Sequence, residues 1–284
     1  MRQALLLILL ILPMAGCVHT RQGVPEPALT PGAPEVGEIL THLQAPDRHI
    51  ENLASNGEIR MRLPGEAGIQ RFPQGRVHFE QPAQFFAQGR KGGVVRIYSE
   101  GGRFLLELPS EKTFYHGAEG DHFEDIALDI APSRIFRELF LIDLLDGIAP
   151  ERVHLESHDE TAGQSVLAVY GEGRRRKVER RLVVAPSPEG WTILESQLFD
   201  AEERLIGRTV CEDYQRLGGI LIPTRVTVTF PEHEAEMSFA MSPPSVKINQ
   251  AAPPAMDDID AKRAELLAAG FREVNSTTKK AGVE

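Results

Sequence analysis

The sequence predicts a mainly β fold with helices, an α+β chain whose antiparallel sheet is curved, and three observations predict it. Apolar and polar residues alternate in short runs through most of the body. Glycines and prolines separate these runs at regular spacing. Helical periodicity is confined to a few segments, so strands follow one another through turns and not through the crossover helices of a parallel sheet.

The chain opens with Arg2, an apolar run from Ala4 to Leu12, and then Met14-Ala15-Gly16-Cys17. A run this short suits a signal peptide, because a spanning helix needs roughly 20 apolar residues. The small pair before Cys17 resembles the lipobox of bacterial lipoproteins. That resemblance implies cleavage after Gly16, diacylglycerol on the Cys17 sulfur and an acyl chain such as palmitate on the new amine, an anchor that holds a membrane stably. Val18 follows where an inner-membrane retention signal would place Asp, so the outer membrane, periplasmic side, is the expected address. Residues 1–16 are therefore read as the signal, and 17–34 as the lipidated cysteine and a flexible tether rich in Pro and Gly.

Residues 35–250 are read as the folded body. Val36, Ile39, Leu40 and Leu43 recur at helical spacing until Pro46 stops them. Ile50 to Leu63 is a long strand with Leu53, Ser55, Gly57, Ile59 and Met61 on one face, and Gly57 marks a bulge or bend. Short strands continue over Gly75–Glu80, Phe85–Gln88, Val94–Ser99, Phe104–Leu108 and Lys112–His116, with Gly89–Gly93, Gly101–Gly102 and Pro109–Ser110 as turns. A helix over Pro132–Leu145 carries apolar residues on more than one face and needs covering on most sides. Strands resume at Val153–Glu156, Val166–Tyr170, Val178–Ala185 and Trp191–Phe199.

Three further strands, Leu205–Tyr214, Arg225–Phe230 and Glu236–Met241, form the clearest block. Val226, Val228 and Phe230 share its dry face, Leu217-Gly218-Gly219 makes a turn, and Pro223 belongs at a strand start or an edge. Residues 251–284 are read as a helix over Met256–Ala269, with Ile259, Leu266 and Leu267 inward, and a polar tail.

A formal charge of -10 argues against nucleic acid as a partner. The nine histidines lack zinc-site spacing, so no metal is expected, and His154 and His158 lie on a strand and its turn, where they do not meet. Asp121, Glu124, Asp125 and Asp129 read as a solvated acidic loop, and the basic tip Gly171–Lys177 as a turn that discourages edge pairing. Cys211 reads as a buried, inert thiol. No nucleophile motif, phosphate loop or cofactor signature appears, and the protein is read as non-enzymatic, without catalytic residues or cofactors.

The residues that carry a family resemblance are NLASNGEIRMRL, VHFEQPAQFF, YSEGGRFLLELPSEKTFYHG and FDAEERLIGRTVCEDYQRLGGILIPTRVTV, with Asp200, Gly207, Tyr214, Gly219 and Pro223 in fixed spacing. They are similar to the LolA/LolB-like proteins over Val36 to Ile248, as an uncharacterised member and not LolB itself. The polar hairpin Gln88–Gly93 stands where LolB carries an exposed apolar loop residue, and the soluble carrier LolA has no anchor. The resemblance implies an incomplete barrel around one or more amphipathic helices, with an apolar cavity for acyl chains. Candidate cavity residues are Val77, Phe79, Leu106, Leu108, Phe136, Leu139, Phe140, Val226 and Val228. Two functions stand side by side: a lipoprotein that binds an acyl chain or lipid in lipoprotein or lipid trafficking, and a structural or assembly lipoprotein that docks an envelope protein partner.

Overall fold

The computed structural model describes residues 32–45, 48–62, 68–80, 84–91, 93–118, 121, 145, 148–172, 176–231, 234–250 and 258–275. The expected signal, Cys17, most of the tether, the helix over Pro132–Leu145 apart from Leu145, three of the four acidic-loop residues and the tip 173–175 lie outside them.

Among the described residues, fifteen strands join in one sheet. Six follow the chain as a meander: β1 Asn52–Arg62, β2 Gln70–Glu80, β3 Gln84–Lys91, β4 Gly93–Glu100, β5 Arg103–Leu108 and β6 Thr113–Ala118. Seven make a second: β7 Val153–Asp159, β8 Gln164–Tyr170, β9 Val178–Ser187, β10 Gly190–Phe199, β11 Leu205–Leu217, β12 Ile220–Phe230 and β13 Ala235–Met241. β13 returns to pair with β1, Gly57 opposite Met241 and Met61 opposite Met237, which fuses the two meanders. β14 Lys247–Ile248 pairs with the start of β1. β15 Arg272–Asn275 runs parallel to β6, so the sheet is not wholly antiparallel as expected. The sheet is open, ending at β15 and β7.

Residues directly opposed on neighbouring strands point to the same side, so the pairing fixes the faces. One row runs Tyr115, Leu106, Ile97, Ala87, Val77, Ser55 from β6 to β1. A second runs Met61, Met237, Val228, Thr209, Ser196, Leu182, Leu167, Leu155 from β1 to β7. Both rows lie on one face and are apolar but for the small hydroxyls of Ser55, Thr209 and Ser196. One step along, Arg180, opposite Val169 and Leu198, brings a guanidinium to the same face, 3.3 Å from Ser196 Oγ. We call it the inner face.

α1, Val36–Leu43, covers the far end of that face, with Ile39 and Leu40 buried against Leu182, Trp191 and Ile193. α2, Ile259–Ala268, covers the opposite face over β3 to β6, where Tyr98, Leu105 and Phe114 receive Ile259 and Leu266. Asp258 caps α2 by accepting from the amides of Asp260 and Ala261. Its end is a Schellman motif: Gly270 (φ 77°) donates to Leu267 O, Phe271 donates to Leu266 O, and the Phe271 ring packs under the helix. Ile259, Lys262 and Leu266 mark the buried stripe, which leaves Leu267 outward at 44% exposure and not inward as expected. Beneath α2 the carboxylate of Glu107 is 2% exposed, and accepts from Arg96 at 2.7 Å and from the Tyr98 hydroxyl at 3.4 Å. Burial pushes the Tyr98 phenol well up, so it stays a neutral donor.

Two other expectations change. Gly89 lies inside β3 and not in a turn, because β3 runs to Lys91 and β4 begins at Gly93. Pro223 lies inside β12 opposite Tyr214, two residues before the ladder to β13 begins at Arg225, so its missing N–H costs no bond on that side. The Leu217–Ile220 hairpin turns on Gly218 and Gly219 at φ 59° and 88°, the primed turn that fits strand twist.

Arginine hydrogen bonds hold Glu58, Glu189, Glu195, Asp260 and Glu273 below the usual carboxylate range, and the Arg204 amide does so first for Asp200. Depressed folded values contribute stability above the unfolded pKa, and that contribution is lost as pH falls through the folded ones. Buried His78, held below its ordinary value by burial, likewise resists protonation. The urea midpoint should therefore begin a shallow fall below about pH 6.5, from His78, and fall more steeply below about pH 4.5, from the carboxylate pairs. Because most of these pairs are exposed, high salt should shrink the fall; a midpoint that rises on acidification refutes this account.

Candidate functional site

The inner face holds a cavity of about 30 Å³ between β1, β2, β3, β4 and β13. Ile59, Phe72, Ala87, Ile97, Met237 and Phe239 supply most of its wall, and every lining residue is apolar or glycine. A site with no donor, acceptor or charge can select only for hydrocarbon, by removing it from water.

Of the nine cavity residues expected from sequence, Val77 lines this space. Phe79, Leu106, Val226 and Val228 are buried in the same apolar cluster, and Leu108 packs against it partly exposed. Phe136, Leu139 and Phe140 lie outside the described residues. Phe72 was missed because it is out of phase with Val77 and Phe79. Gly57 faces Gly75 but Ile59 faces Phe72, so Glu58 opposes both Pro73 and Gln74 in a β-bulge, and the extra residue turns Phe72 to the inner face. The signal for it was the Pro73-Gln74 pair, where a proline in an alternating run marks a bulge.

The remaining sequence features have local partners. The ring of His154 stands edge-on to Tyr170 at 5.3 Å, while His158 Nδ1 is 3.0 Å from Ser165 Oγ; both residues lie on β7 and share no ligand position. Among the described residues no group of three or more His, Cys, Asp and Glu could hold a metal ion. The Asp121 carboxylate accepts from the Ala118 amide. Cys211 is buried on the inner face, and burial pushes its thiol up to about 12, which keeps it protonated and unreactive at neutral pH. A wider polar groove of about 740 Å³ runs beside α1, but Arg216 in its wall is paired with Glu189 and Arg48 donates to Trp191 O.

No protein-family model matches the sequence, and no curated protein does. The structure is similar to a crystal structure of a DUF1329 family protein from Desulfovibrio piger, with a TM-score of 0.51, 13% identity, and 80% of this chain and 96% of that one covered. That likeness shows the fold. A weaker similarity is to a crystal structure of a LolA superfamily protein from Nitrosomonas europaea, at a TM-score of 0.48 and 14% identity, with 79% of this chain and 99% of that one covered. Among the described residues the fold is thus a mostly β arrangement with two helices, like the Desulfovibrio piger structure.

Proposed function

We propose that this protein is an outer-membrane-anchored periplasmic lipoprotein that takes an acyl chain or lipid into the cavity of its inner face, in lipoprotein or lipid trafficking. The observation that carries the reading is the wholly apolar lining of that cavity, set in the largest apolar cluster of the described residues. Lipidated Cys17 supplies the anchor and residues 18–34 the reach. Val77, Phe79, Leu106, Leu108, Val226 and Val228 are the proposed ligand contacts among the described residues, and Phe136, Leu139 and Phe140 are the proposed contacts outside them. No covalent step is involved; burying each methylene provides about 0.8 kcal/mol.

A second reading, a structural lipoprotein whose interior is filled and whose outer surface docks an envelope protein, draws support from the small size of the cavity, about 30 Å³. Native mass spectrometry of the chain from Val18 onward, purified from cells and extracted for lipids, separates the two. The expected result is a stoichiometric lipid or acylated peptide on the folded protein. An unliganded mass that stays unchanged after incubation with acyl lipids rejects the carrier and leaves the structural reading.

A further inference from the structure

We propose that Phe72 is a displaceable plug, its ring seated on Gly89 and swinging out to admit the ligand; this rests on the reading of the cavity as the binding site. The need for a moving part follows from size. An apolar cavity of about 30 Å³ stays dry and holds no chain, whereas on the order of 150 Å³ takes a benzene ring. The missing space is the space of one aromatic side chain.

Phe72 is placed to give it up. A Cβ on Gly89 would lie 2.9 Å from Cγ and Cδ1 of Phe72, so the ring rests on bare backbone where any other residue would push it off. Gly75 stands directly opposite Gly89, and Gly57 opposite Gly75, a row of three glycines across β1, β2 and β3. A Cβ on Gly75 would meet Ile59 at 2.8 Å, so Ile59 and Phe72 both lie against bare backbone of this row, and Gly89 itself lines the cavity. Phe72 also sits at the bulge, where the ladder between β1 and β2 is interrupted and the next residues, Pro73 and Gln74, are exposed. The ring is therefore carried beside an interruption of the ladder, next to residues that face solvent. The other large rings at the cavity, Phe85 and Phe239, lie on strands paired on both sides without interruption at those residues.

The test is stopped-flow uptake of N-phenyl-naphthylamine, an apolar fluorophore, by the chain from Val18 onward, which contains every described core residue. Wild type, Phe72→Ala and Gly89→Ala are compared, each checked for folding by urea titration. A plug makes the wild-type rate level off at high probe concentration, at the rate of ring opening. In Phe72→Ala the levelling should vanish, and binding should tighten on the order of tenfold. In Gly89→Ala, where the ring remains but loses its seat, the plateau should rise on the order of tenfold, an effect that a static filler does not give. One common linear rate for all three proteins overturns the plug and leaves the cavity reading intact. No uptake by wild type and Phe72→Ala alike overturns both.

Discussion

Gly57→Ala is expected to lower the free energy of unfolding by about 3 kcal/mol or more, measured as a lower urea midpoint at unchanged slope. A Cβ on Gly57 would stand 2.1 Å from the carbonyl oxygen of Ala240 and 2.8 Å from the Phe239 ring. That oxygen belongs to β13, where Ala240 pairs with Glu58 on one side and Arg225 on the other, so it cannot turn away. Relief requires parting β13 from β1, the one junction that joins the two meanders among the described residues. The same change at Gly75 meets Ile59 Cγ1 at 2.8 Å and the Gly57 carbonyl oxygen at 3.0 Å, and at Gly89 the Phe72 ring at 2.9 Å, overlaps smaller than the one on the Ala240 oxygen, so both should cost less. Gly37→Ala serves as the opposite control: nothing lies within 4 Å of its Cβ position, and in α1 the change should stabilise by about 0.5–1 kcal/mol. A Gly57→Ala midpoint equal to wild type would mean that β1 and β13 part freely.

The alternation of β1, β12 and β13 was legible because each strand keeps one phase along its length, so Ile59, Val226 and Val228 are found on the inner face where alternation puts them. β2 changes phase within itself. Its bulge opposite Glu58 put Phe72 on the inner face against the count, and with Phe72 went the nearest wall of the cavity. β15 was illegible for a different reason. Arg272–Asn275 is four residues with two charges, and it becomes a strand only because α2 lays it along β6. The five residues on which the family resemblance rests prove to be residues of folding.

Asp200 accepts from the amides of Glu202 and Arg204, which shapes its turn. Gly207 faces the Phe230 ring, the Tyr214 hydroxyl donates to Ile193 O, Gly219 holds φ 88°, and Pro223 sits beyond the β13 ladder. A signature made of turns and close approaches identifies a fold, while an apolar site has no polar motif by which a sequence could announce it.

Phe239→Ala and Phe114→Ala should each cost about 3–5 kcal/mol, since both rings are buried and surrounded. They lie on opposite faces: Phe239 borders the cavity opposite Ile59 and Val226, and Phe114 packs beneath α2 with Leu105 and Ile259. Equal loss of stability with unequal effect on cargo is the outcome that distinguishes a binding face from a second core. Phe239→Ala should retain longer or bulkier acyl species on extraction, because the deleted ring adds its volume to the cavity, and Phe114→Ala should retain the wild-type set. Identical lipid profiles from two folded variants would place the cargo away from this cavity. Altered profiles from both would mean that the two layers are coupled through the strands β4 and β5, whose inner residues Ile97 and Leu106 alternate with the outer residues Tyr98 and Leu105 along the same backbone.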